Sequence, residues 1–204
     1  CATFLTSGPV LSLQNGLGNL ETLKQHVFEN AAVGVTTNAV KRIQPGCIEW
    51  VGKGNLIVGG PKGEIFAKVL DCLDASYSED VSSILWNKLL LNVAINPLAA
   101  ICGVKNGELR NEPLLSQAES TMLEAASVAR MLGIAIDDDQ ILIQNLHSVL
   151  DSTSENICSM LADVKAGKQT EIDMLCGQVA MRGEQLGIPT PLNSMLLSQI
   201  KSLR

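Results

Sequence analysis

Trp86-Asn87-Lys88-Leu89-Leu90-Leu91-Asn92-Val93-Ala94-Ile95-Asn96-Pro97-Leu98 separates two kinds of sequence and sets the reading of both. Lys88, Asn92 and Asn96 recur every four residues, so on an α-helix they share one face, roughly 6 Å apart along the axis. Leu89, Leu90, Leu91, Val93, Ala94 and Ile95 cover the other sides. A helix apolar over most of its circumference is buried, and its polar stripe must find partners or line a cavity. Asn is a middling helix former, so two of them in mid-helix gain nothing by propensity. One reading is a solvated stripe on an amphipathic helix. The other is an ammonium and two amides, all donors, facing an anionic, oxygen-rich ligand.

Downstream of this stretch the pattern stays helical, over 79–102, 112–132, 138–150, 153–166, 169–186 and 191–203. Gly133 and Gly187 are placed to close helices, Asp137 to cap one, and Pro191 to occupy a first helical position. Upstream, short β-like runs dominate. Val10 to Gln14 and Ala31 to Thr37 read as strands, with a Gly-rich turn (Asn15-Gly16-Leu17-Gly18-Asn19) and a helix at 20–28 between them. Cys47 to Val51 and Asn55 to Gly60 flank Gly52-Lys53-Gly54, a spacing that predicts a hairpin. Residues 64–75 return to helical period. The expected fold is therefore a mixed α/β region over 1–77 followed by an all-helical domain over 78–204.

Composition narrows the function. The 204 residues are 46% hydrophobic and 18% charged, the balance of an ordinary globular chain. With aromatics at only 3%, Leu, Ile, Val and Ala must do most of the packing. A net charge of -6 and the lack of a long Lys/Arg run argue against nucleic acid or anionic membrane as a partner. Six scattered cysteines without a CxxC pair read as buried free thiols. His26 and His147 are too few and too far apart for a zinc site, so no metal is expected. No signal peptide and no apolar run of 18 residues occurs, which reads as a soluble, cytoplasmic protein. The chain opens at Cys1 without Met and reads as a piece of something that began earlier.

Three further clusters could carry chemistry. Gly16 and Gly18 allow backbone to approach a ligand closely at a helix start. This turn is not the GxGxxG fingerprint, which occurs nowhere in the chain. Asn106-Gly107 is a turn just beyond the Lys88 helix, so Asn106 could reach the same cavity. Ser159, flanked by Cys158, Met160 and Leu161, is a candidate for a buried hydrogen bond, while Glu171 and Asp173 could simply belong to an acidic first helical turn. A lysine and a carboxylate sharing a cavity are what ketone reduction by hydride transfer needs. The lysine protonates the oxygen as charge builds on it, and the carboxylate holds the lysine or a substrate hydroxyl in place. Spacing alone does not bring Lys88 and Glu171 together.

These motifs, with Gln14 to Asn19, Asn156 to Asp163, Lys168 to Asp173 and Gly187-Ile188-Pro189-Thr190-Pro191, resemble the ketopantoate reductase family in order and across essentially the whole chain. The resemblance implies NADPH-dependent reduction of 2-dehydropantoate to pantoate, a step of pantothenate biosynthesis. It further implies Lys88 as general acid and Glu171 as a catalytic and cofactor contact. Asn92, Asn96, Asn106 and Ser159 would bind substrate, Asn15 would touch both nicotinamide and substrate, and Val40 would lie beside the cofactor. The implied partner is a small 2-keto acid, with a homodimer left open. The family's opening strand and GxGxxG turn, about eighty residues of nucleotide-binding sequence, are absent, so 1–77 is expected to be the last part of a Rossmann-like dinucleotide-binding domain. Two other readings stay open: a reductase of another 2-keto acid, and a non-catalytic helical scaffold or dimerisation module.

Overall fold

A computed structural model describes residues 8–203, which form two compact units, one ending at Leu85 and the other beginning at Trp86. The first is a Rossmann-like mixed α/β unit and the second is helical.

The α/β unit is built from two strand–helix–strand crossovers. β1 (Val10–Ser12), α1 (Asn19–Val27) and β2 (Ala31–Thr36) form one; β5 (Leu56–Gly59), α2 (Gly63–Val69) and β6 (Ala75–Tyr77) form the other. β1 runs parallel to β2 and β5 parallel to β6, while β2 and β5 pair antiparallel, giving the order β1-β2-β5-β6. Ala31 to Val35 are all buried, as expected of a strand covered on both faces and read as an unbroken apolar run. Glycine at position 34 lets neighbouring side chains close over β2: a Cβ there would sit 2.7 Å from Leu13 Cδ2 and 3.0 Å from Val58 Cγ1.

The predicted hairpin is wrong in its partners. Cys47–Gly52 (β4) pairs with Ala39–Gln44 (β3), not with the strand after Gly54. The reversal is at Pro45-Gly46, where Gly46 adopts φ 76°, a conformation that tight turns assign to glycine. β5 instead joins the main sheet. Residues 52–54 are the exit from the ribbon, tied down by Thr37 and Asn38: Gly54 N–H donates to Asn38 Oδ1 at 3.0 Å and Asn55 N–H to Thr37 Oγ1 at 2.8 Å. The expected helix over 64–75 is also too long. It stops at Val69, makes a 3-10 turn at Asp71–Leu73 and enters β6, a three-residue strand too short to leave a periodic signal.

α3 (Val81–Cys102) begins in the first unit and continues into the helical one, where α4 spans Leu114–Met131, α5 Asp139–Ser152, α6 Ser159–Lys165, α7 Cys176–Leu186 and α8 Pro191–Ser202. Two expected helices shrink. Of 153–166 only α6 is helical, and 169–186 yields a 3-10 turn at Ile172–Met174 before α7. α3 is long and apolar enough by length and composition to cross a membrane, yet 61% of its most apolar window is buried inside the fold, as in a core helix. Leu90, Val93, Ala94 and Ala99 expose nothing. α4 packs against α7 and α8, and its Ala118, Ala125, Ala126 and Ala129 are all fully buried, small side chains that allow close helix approach where aromatics are scarce. Gly133 and Gly187 lie just past α4 and α7 with φ 74° and 68°, where the sequence places them.

Helix starts are capped from unexpected places. Asp138, not Asp137, caps α5, its carboxylate accepting from Ile141 N–H at 3.0 Å. Asp138→Ala is expected to cost about 1 kcal/mol, read as a lower urea midpoint with an unchanged slope; an unchanged midpoint would dismiss the cap. α8 has no side-chain cap of its own at Thr190. Glu124 of α4 supplies one, its Oε2 accepting from Leu192 N–H at 3.0 Å and its Oε1 from Asn193 N–H at 2.8 Å and Asn193 Nδ2 at 2.9 Å. Asn193, wholly buried, also donates from Nδ2 to Thr121 O at 3.2 Å. The cysteines correct another expectation. Cys158 and Cys176 are buried free thiols, but Cys47, Cys72 and Cys102 are free and exposed, and Cys1 lies outside the described residues.

Candidate active site

Within the helical unit the polar stripe of α3 runs from half-buried to buried. Lys88 and Asn92 are partly exposed, and Asn96, one turn further on, retains 8% of its surface. Burial pushes the Lys88 pKa below its ordinary value, because an ammonium loses hydration there, and the Glu171 carboxylate pulls it part of the way back up. Residues that sequence spacing could not connect therefore act on each other electrostatically. Glu171 is half-buried between fully buried Ile172 and nearly buried Thr170, and it opens the 3-10 turn by accepting from Met174 N–H at 2.9 Å. Lys201 of α8 pairs with Asp173 at 2.5 Å and fastens the same turn.

The segment between α5 and α6 links the other candidates. Cys158 Sγ lies 3.6 Å from the backbone oxygen of Asn96 and accepts from Leu161 N–H at 3.4 Å, so a buried thiol rather than a serine caps α6. Burial raises the Cys158 pKa, which keeps the proton on sulfur and available to Asn96 O. Ser159, expected to make a buried hydrogen bond, is exposed at the first position of α6; the buried neighbour is Cys158. Asn106 begins a 3-10 turn, Asn106–Arg110, and is only 7% exposed. Its N–H donates to Asn156 O at 3.0 Å, Gly107 N–H to Ser154 O at 3.1 Å, and Asn106 Nδ2 to Thr153 Oγ1 at 3.0 Å. Gly107 must be small: a Cβ would lie 2.7 Å from that of Ser154. Thus one six-residue stretch, 153–158, is bonded to both Asn96 and Asn106. Neither Thr153 nor Cys158 was singled out as a site residue by the sequence, since Thr153 reads as the first residue of a helix over 153–166 and Cys158 as part of its interior.

In the α/β unit Asn15 and Val40 follow the carboxyl ends of the parallel strands β1 and β2, the edge at which open α/β sheets receive ligands. Asn15 is half-buried, and its backbone oxygen accepts from Asn19 Nδ2 at 3.2 Å. Gly18, at φ 88°, starts α1 without a side-chain cap. Val40 stands on β3 opposite Trp50, and both are about half exposed, at 53% and 55%.

Family comparison fits this two-part layout. The description Ketopantoate reductase PanE/ApbA C terminal matches residues 80–204, and Ketopantoate reductase PanE/ApbA matches residues 1–63. The chain belongs to the ketopantoate reductase family. Among similar proteins is a 2-dehydropantoate 2-reductase of Pyrococcus horikoshii, 36% identical over 95% of this chain and 66% of that protein. Another, from Archaeoglobus fulgidus, is 34% identical over 97% of this chain and 68% of its own length. A crystal structure of a PanE/ApbA family ketopantoate reductase from Ralstonia eutropha superimposes with a TM-score of 0.86 at 31% identity, covering 95% of this chain and 65% of that one. The chain thus spans about two thirds of the length of the ketopantoate reductase relatives it matches.

Proposed function

We propose that this polypeptide carries the substrate and proton-transfer half of an NADPH-dependent reduction of 2-dehydropantoate to pantoate. The observation that supports it most is the half-buried Lys88 ammonium, set in a stripe with Asn92 and Asn96 and under the influence of the Glu171 carboxylate. As a ketone is reduced, negative charge grows on its oxygen, and a positioned ammonium stabilises that charge and then gives up a proton. Desolvation makes Lys88 the stronger acid, while Glu171 keeps it from losing its proton prematurely. Asn92, Asn96, Asn106 and Ser159 bind the acid, and Asn15, Val40 and Glu171 hold the nicotinamide end of the cofactor. NADPH, when bound, supplies the hydride. The Gly-rich turn after β1 and the two carboxyl strand ends suit such a ligand, whereas no GxGxxG turn is present in these residues to cradle its phosphates.

The test is oxidation of NADPH by this chain with 2-dehydropantoate, alongside a fluorescence titration with NADPH. Turnover above the protein-free rate supports the reading. Tight NADPH binding would contradict a scaffold that cannot bind the cofactor, and no binding would show that a GxGxxG segment, absent from these residues, is needed. Equal turnover of other 2-keto acids would favour a broader reductase.

Glu171→Gln has a predictable pH signature. Lys88 acts while protonated, so the rate falls as pH rises through its pKa, which lies below 10.5. Removing the carboxylate deletes the influence that raises this pKa. The basic limb of kcat/KM is therefore expected to move to lower pH. A limb that stays in place or moves upward would separate Glu171 from Lys88.

A further inference from the structure

Glu171 acts on Lys88 from a turn that has little of its own to hold it. The 3-10 turn Ile172–Met174 is closed by backbone bonds from Met174 N–H to Glu171 O at 2.9 Å and from Leu175 N–H to Ile172 O at 3.2 Å, in the poorer geometry of a three-residue coil. The Glu171 carboxylate does not cap it. Nor does α7 set its direction, because Leu175 between them departs from helical backbone, at φ -105° and ψ -100°. Two side chains fix the turn instead: Ile172, wholly buried, and Asp173, paired with Lys201 Nζ at 2.5 Å. The helices that pack on the turn, α7 and α8, carry Cys176, Arg182, Glu184 and Lys201 as their ionisable groups. Cys176 is buried, its thiol pushed up to about 12 by lost hydration, and Arg182 donates to Gln178. Lys201 is the group that engages Asp173.

On a coil of three residues per turn, positions two apart point roughly 120° away from each other about the axis. Glu171 and Asp173 therefore leave the turn in different directions, the first acting on Lys88 and the second facing α8. Lys201 stands in the last turn of α8, whose first turn is clasped by Glu124 of α4, so α8 is tied at both ends. Resting on the reading of Lys88 and Glu171 as a working pair, we infer that Lys201 is a positioning residue: through Asp173 it fixes the rotation of the turn that aims Glu171 at Lys88. An ion pair whose members are each about half exposed adds little to stability. Its effect is on direction. With the pair broken, the turn can rotate about buried Ile172, and the Glu171 carboxylate swings away from the ammonium it supports.

The test follows the ionisation of Lys88 by NMR on the chain labelled with carbon-13 lysine, which needs no substrate; the Lys88 signal is the one that disappears in Lys88→Met. Glu171→Gln is the reference, and it lowers the midpoint by deleting an attractive charge. Lys201→Met and Asp173→Asn are both expected to lower the midpoint, by less than Glu171→Gln, while Lys201→Arg restores it and thermal unfolding stays near that of the unmodified chain. Charge acting through space has a different signature, since removing a cation raises the midpoint and removing an anion lowers it. Shifts of opposite sign in Lys201→Met and Asp173→Asn overturn the inference. So does a loss of stability that leaves Lys88 unmoved, or an arginine variant that behaves like methionine. Combined with Glu171→Gln, Lys201→Met should no longer lower the midpoint; a lowering that persists means that Lys201 acts without Glu171, and the inference falls. A midpoint that Glu171→Gln leaves in place removes the working pair itself. If the midpoints move as expected and 2-dehydropantoate is not reduced, the reductase reading falls while the positioning stands; in an active chain the basic limb of kcat/KM moves with the midpoint.

Discussion

Lys88→Ala is expected to lower turnover of 2-dehydropantoate about 100-fold or more, the usual range for removing a general acid. That factor corresponds to about 2.7 kcal/mol of barrier. Two effects could be confused in this variant, because Lys88 is itself half-buried and its aliphatic carbons contribute to that burial. Losing the stem affects stability, whereas losing the ammonium affects the chemical step. Lys88→Met separates them: it retains the stem volume, so thermal unfolding should stay near that of the unmodified chain while the rate remains low. The basic limb assigned to Lys88 should also vanish from the pH profile of both variants. A methionine variant with near-normal turnover would remove Lys88 from the mechanism.

Glu124→Ala is expected to cost about 3 kcal/mol of stability. One carboxylate accepts three hydrogen bonds, two of them from amides of the first turn of α8 that have no other acceptor in the helix. Bonds to a charged group contribute about 1.5–3 kcal/mol each at most, and they are not additive when they share one acceptor. Removing the acceptor also strands Asn193, which is wholly buried and already has an unpartnered Oδ1. Glu124→Gln should fall between, since one amide oxygen can still accept while its NH₂ faces donors. Urea unfolding checks both. An alanine variant within about 0.5 kcal/mol of the parent, the range of ordinary surface substitutions, would mean that water replaces the carboxylate at the helix start.

The division into an α/β region and a helical region was legible because it rests on hydrophobic period, and α3, α4, α5 and α8 fall within a few residues of where that period puts them. Period does not identify partners. Cys47 to Val51 has the same alternation whichever neighbour it pairs with, and the choice was made by Pro45-Gly46 on one side and by the polar ties of Thr37 and Asn38 on the other. The stretch 153–158 has helical composition but spends its backbone on Asn106 and Gly107, a tertiary demand that local propensity cannot express. The polar stripe of α3 was read from spacing, and the closeness of Glu171 to it was not, because it depends on how the 3-10 turn packs. Ser159 and Cys158 were exchanged in the reading for a related reason: which of two adjacent residues faces inward at a helix start depends on the cap, and here the thiol is the cap.

The Glu124 clasp has a consequence for how the protein is made. Asn193 follows Glu124 by 69 residues. At about 5–20 residues per second of synthesis the second partner emerges roughly 3–14 s after the first. During that interval the Glu124 carboxylate is without the α8 amides that it binds in the folded protein. Slower translation between α4 and α8 would lengthen that interval without altering a single native contact.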